Sequence, residues 1–142
     1  MEIRYPRTVD VPEFKKFYTY YQSVPMIDIP VAMELASRVL NAKLELIGIK
    51  SEVFLSSEGL HKETKRQFSV GIMANRALDQ KSREAAALLT AEYNAAADAD
   101  AVAKVDLEFI NDLIKACDML YYNFRDMYRM EINGPAEESF RT

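Results

Sequence analysis

The chain has 142 residues, 49% of them hydrophobic and 28% charged, and a net charge of −4. That composition suits one globular domain with a core, and it excludes both a disordered chain and a uniformly basic nucleic-acid binder. A single cysteine, Cys117, excludes an internal disulfide and a cysteine-rich metal site.

Four glycines, five prolines and no tryptophan leave few helix breakers, so long helices are expected. The segment Met-Glu-Ile-Arg-Tyr-Pro shows no apolar signal-peptide core, and no apolar run approaches the ~18 residues that span a membrane. A reducing cytoplasm, the host's if the protein is viral, is the expected location.

Pro12 to Gln22 holds five aromatics and two lysines. Phe14, Phe17, Tyr18 and Tyr21 fall at i, i+3, i+4 and i+7, one face of a helix, with Tyr20 off that face. Asp10 and Glu13 have capping-box spacing, and Pro12 suits a first turn. Two readings are open: a stripe buried in the core, or an interface with a partner chain.

Two prolines then interrupt the chain, with Asp28 as an N-cap and Pro30 just inside the next helix. Val31, Leu35, Val39, Ala42, Leu46, Ile49 and Val53 make a heptad-like seam, widened by Leu40, Leu44, Ile47 and Phe54. So wide a face needs more than one neighbour. The spacing predicts a helix from Pro30 to about Glu58, closed by Gly59.

Between His61 and Arg83 six basic residues stand against two acidic ones, a local charge of +4. Weak helical signals around Gly71 predict a helix end, a loop and a restart near Ser82. From Glu84 to Asp112 seven acidic residues face one lysine, a local charge of −6. Ala95 to Ala101 reads either as smooth helix or as a joint. Val102, Val105, Phe109, Leu113, Cys117, Leu120, Phe124 and Met127 form a last stripe, which Gly134-Pro135 is expected to end. The resulting expectation is an all-α, long-helix bundle (31–134) with a proline-rich N-terminal arm carrying the aromatic helix (1–30) and a flexible tail (135–142).

Nothing in the sequence marks catalysis. His61 is the only histidine and lacks ligand company, Cys117 sits on an apolar stripe, and no glycine loop could cradle phosphate. No cofactor, no metal and no enzymatic activity are expected. The basic segment is the better binding candidate: Lys62, Lys65, Arg66, Arg76, Lys81 and Arg83 for phosphates, with Phe68 as a stacking ring. Its alternative is a solvated face balancing the acidic segment. A second binding candidate is Arg125 and Arg129 beside Tyr121, Tyr122 and Tyr128, for which the favoured reading is the close of a core stripe with dipole-favoured cations at a helix end.

The order of these features resembles the tailed-phage recombination mediators (UvsY-like proteins). The resemblance rests on Lys62 to Arg83, on Leu88-Leu-Thr-Ala-Glu-Tyr93 leading into Val102-Ala-Lys-Val-Asp106, and on Phe124 to Gly134. It covers about the last two thirds of the chain. That family's basic segment carries Lys-x-Arg, paired tyrosines and a glycine; here Lys65-Arg66-Gln67-Phe68 offers one ring, and Gly71 comes without tyrosines. The resemblance implies a non-catalytic, homo-oligomeric protein that binds single-stranded DNA and helps load a RecA-like recombinase. Phe14, Phe17, Tyr18, Tyr21, Phe109, Leu113, Leu120 and Phe124 are the candidate oligomer contacts. The alternative expectation is a helical structural or adaptor protein of a multi-subunit assembly, such as a virion.

Overall fold

Pro12 opens α1 (Pro12–Ser23) where a missing backbone N–H costs nothing, and the four-ring stripe gives the helix a face to bury. In the computed structural model, which describes the backbone of residues 3–141 and the side chains of residues 3–129, three more helices follow. They are α2 (Ile29–Ala74), α3 (Gln80–Leu88) and α4 (Ala91–Arg141). No strand occurs among the described residues, so the fold is all-α.

Asp28 starts α2 as expected. Its carboxylate accepts the Val31 N–H at 3.0 Å and its carbonyl the Ala32 N–H at 2.8 Å. The helix then continues through Gly59 to Ala74, well beyond the stop predicted at Glu58. A mid-helix glycine costs about 1 kcal/mol, which the packing on either side outweighs: Val53 and Ser57 before it, and Gly71 after it, are buried. The sequence hides this stretch because its inward positions include Thr64 and Gln67, which dilute the apolar period.

Asn75 closes α2, its side-chain amide donating to the Gly71 carbonyl at 2.8 Å. Asp79 caps α3 by accepting the Ser82 N–H at 2.8 Å, close to the expected restart. Thr90 opens α4, its hydroxyl accepting the Tyr93 N–H at 3.2 Å. Ala95 to Ala101 is smooth helix. The helix also runs past Gly134-Pro135, where a stop was predicted. An interior proline costs about 3 kcal/mol, through a lost ladder bond and a clash with the carbonyl four residues back, and helix-forming Ala136, Glu137 and Glu138 follow it.

The chain forms two compact units, and α2 and α4 contribute to both. The first contains Asp10–Ile49 and the chain from Ile110. Its core joins Phe14 and Phe17 of α1, Leu35, Val39 and Leu46 of α2, and Ile110, Leu113, Leu120 and Phe124 of α4. The aromatic helix is therefore packed within a body. Phe124 meets the edges of Phe17 and Tyr21 at 6.3 and 5.5 Å. Of the eight candidate oligomer contacts, Phe14, Phe17, Leu113, Leu120 and Phe124 are buried within the chain itself, and Tyr18, Tyr21 and Phe109 are half-buried. The large apolar side chains left exposed on α2 in this unit include Met33, Leu40 and Leu44.

The predicted capping box does not form. Asp10 instead accepts the Val11 N–H and pairs with Lys15 at 2.8 Å. The start of α1 is capped from α2: the Glu45 carboxylate accepts the Glu13 and Phe14 N–H groups at 3.1 and 3.2 Å. A carboxylate is well placed there, against the positive end of the helix dipole. Tyr20, off the stripe, donates to Glu34 at 2.8 Å under the Arg38 guanidinium.

The second unit contains Arg4–Val9 and Lys50–Phe109. Here the N-terminal strap is fastened to α4. Asp106, fully buried, accepts the Arg7 N–H at 2.8 Å, the Thr8 N–H at 2.9 Å and the Thr8 hydroxyl. Gly71 lets α3 approach α2 closely, since a Cβ there would stand 2.8 Å from both Cα and Cβ of Ala87. Among the described residues no helix is long and apolar enough to cross a membrane.

Candidate nucleic-acid interface

The continuity of α2 beyond Gly59 decides which basic residues share a surface. On a helix, residues three or four apart are neighbours. His61, Lys65 and Phe68 therefore form one row, with Lys62 beside it. This row lines two adjoining grooves of the second unit. One, of about 420 Å³, is walled by Ser57, Glu58, His61, Lys62 and Lys65 of α2 and Lys104 of α4. The other, of about 630 Å³, has His61, Thr64, Lys65, Phe68 and Ser69 on one side. Glu84 and Leu88 of α3 and Tyr93 of α4 complete it.

Its aromatic end is the pair Phe68 and Tyr93, with ring centres 6.0 Å apart and planes tilted by 57°. Both rings are half-buried, so each keeps part of its surface open. Lys62 and Lys65 are exposed and make no ion pair among the described residues. Lys104 is tied to Asp100 Oδ2 at 3.2 Å, and His61 Nδ1 reaches the same oxygen at 3.3 Å. Burial pushes the Asp100 carboxyl up, but the His61 and Lys104 contacts outweigh it and hold the group below its ordinary value.

Three of the seven predicted contacts, Lys62, Lys65 and Phe68, come together in these grooves. The other four lie outside their lining. Arg66 turns to Glu63, with Nη2 2.7 Å and Nε 2.9 Å from its carboxylate. That contact, with a second from Gln67, brings the half-buried Glu63 carboxyl down to about 2. Arg76 sits in the turn after α2, and Lys81 and Arg83 belong to α3. The Arg83 guanidinium donates to Gln80 at 3.2 Å and its Nε is buried without a partner among the described residues.

Sequence reasoning missed His61, Lys104 and Tyr93 as groove residues. Lys104 was the one cation of an acidic run, four residues after Asp100, and that spacing was the available signal. Cys117 is buried in the first unit, where desolvation pushes its thiol up to about 12, far from a reactive thiolate. Comparison with protein-family models, with curated proteins and with solved structures gives no match.

Proposed function

We propose that the chain is a non-catalytic protein that binds single-stranded DNA without sequence preference, through the grooves along α2. The observation that carries this reading is the placement of Lys65 beside the half-open Phe68–Tyr93 pair, with Lys62 in the adjoining groove, both lysines unpaired among the described residues. Cations on a helix turn neutralise successive phosphates, and tilted, partly exposed rings offer faces to unstacked bases. No base-edge reader is needed for such contacts, hence no sequence preference.

The charge available is small, so one subunit binds weakly and a homo-oligomer gains by repeating the groove. Each phosphate contacted on a single strand contributes about −0.7 to the slope of log affinity against log salt. Replacing Lys62 and Lys65 by Ala should therefore flatten the slope by about 1.4. Fluorescence anisotropy with a labelled oligothymidylate measures this; an unchanged slope in the double variant sinks the reading. The loading of a RecA-like recombinase is the role the UvsY-like resemblance adds. Stimulation of such a recombinase on single strands already coated with binding protein tests it.

A second reading, a helical adaptor within a multi-subunit assembly, draws on the apolar α2 surface of the first unit, where Met33 and Leu44 are 51% and 67% exposed. Exposed apolar surface of this kind marks contacts. Sedimentation separates the outcomes: an assembled chain indifferent to oligothymidylate at low salt is an adaptor.

A further inference from the structure

His61 is the chain's only histidine, and the structure sets it where a proton alters the groove. We propose that His61 is a proton-controlled phosphate contact: Asp100 fixes its Nδ1, and its Nε2 donates to a phosphodiester oxygen of a single strand only when the ring is protonated. This rests on the groove being a single-strand site, and adds a contact and a regulation to it.

Asp100 is the reason the ring has a defined state. Its side chain is only 8% exposed, and its carboxyl is held below its ordinary value, so at neutral pH it is an anion that can only accept. Nδ1, 3.3 Å from Oδ2, must then carry the proton. In the neutral ring Nε2 is left with a lone pair, which repels a phosphate oxygen; in the imidazolium it is a donor. The ring is about half exposed and lines both grooves, so its edge away from Asp100 is the one open to a ligand. Asp100 Oδ1 is buried with no partner among the described residues. The carboxylate thus keeps accepting capacity beyond its contacts with Lys104 and His61.

The local charge makes one proton decisive. Facing His61 are Glu58, Lys62 and Lys65 of α2, Asp100 and Lys104 of α4, and Glu84 of α3. Three ammonium groups balance three carboxylates while His61 is neutral. Protonation tips the balance to net positive, in a site where charges act within a Debye length of ~8 Å.

The test measures binding of a rhodamine-labelled oligothymidylate to the full chain at about pH 8 and about pH 5.5. Ionic strength is held low and constant, and His61→Gln is run in parallel. The same pH change is followed at the single histidine Hε1 resonance by NMR, with and without the oligonucleotide. The wild-type chain should gain roughly three- to tenfold more affinity on acidification than the variant, the worth of one exposed charge-assisted hydrogen bond. Bound oligothymidylate should also raise the His61 titration midpoint. An equal gain in His61→Gln, or a midpoint that the ligand leaves unmoved, overturns the proposal. If Lys62→Ala/Lys65→Ala still weakens binding in that case, the single-strand reading stands without it. Absence of oligothymidylate binding at both pH values overturns the two together.

Discussion

Asp106 fastens residues 4–9 to α4, and removing its charge should be felt by the whole second unit. The carboxylate is fully buried and accepts three bonds from Arg7 and Thr8. Hydrogen bonds to a charged group are worth about 1.5–3 kcal/mol each. The three losses do not add, because Arg7 and Thr8 are exposed and a released strap regains water. Asp106→Asn keeps the volume but sets an NH2 against backbone donors, so a cost of about 2–3 kcal/mol is expected. Urea denaturation at neutral pH reads it, and faster tryptic cleavage after Arg4 or Arg7 reports strap release. The acid limb gives a second reading. Burial raises the Asp106 carboxyl, but Thr8 and Arg7 outweigh it and lower it from 3.8. A lowered folded value means stability that is present above the unfolded value and lost as pH falls through the folded one. The wild-type chain should thus lose stability as pH drops below about 4 more steeply than Asp106→Asn does. A loss under about half a kcal/mol at neutral pH, with an unchanged acid limb, would refute the latch.

Leu46→Ala, at a fully buried position of the first unit, should cost about 2–5 kcal/mol in urea denaturation, and a near-neutral result would place the residue outside the core. Gly59→Ala tests the continuity of α2. Nothing lies within 4 Å of the added Cβ, so a continuous helix should gain about 0.5–1 kcal/mol, whereas a left-handed cap at Gly59 would lose stability. Gly71→Ala should do the reverse despite the better helix former, losing about 1–3 kcal/mol, because α3 must shift away from Ala87; a gain in melting temperature would contradict that close approach.

The helices were legible where one side of each was apolar. Phe14, Phe17, Leu35, Leu46, Leu113 and Phe124 occur at helical spacing, and all six are buried. Asp28 announced its helix because an N-cap acts on residues three positions away, within the reach of local reading. Pro12 marked the start of α1, but its cap was not legible, since it comes from Glu45, more than thirty residues on, and no local pattern encodes that contact. Gly59 misled because a glycine permits a helix end without requiring one; tertiary burial on both sides decided the matter.

The groove was half legible for a related reason. Net charge along the chain counted Arg66, Arg76, Lys81 and Arg83 as equal members of a basic segment. A helix sorts such residues by angle, and a neighbour within one turn can occupy them, as Glu63 occupies Arg66. Conversely, Tyr93 and Lys104 join the site from α4 because α2 continues past Gly59 and carries Lys65 and Phe68 into the same grooves. The charge that matters to a phosphate is therefore a sum over side chains sharing one surface. Here three lysines and two glutamates line the grooves, and the buried Asp100 behind His61 brings the sum to balance, so that one proton added at His61 would change its sign.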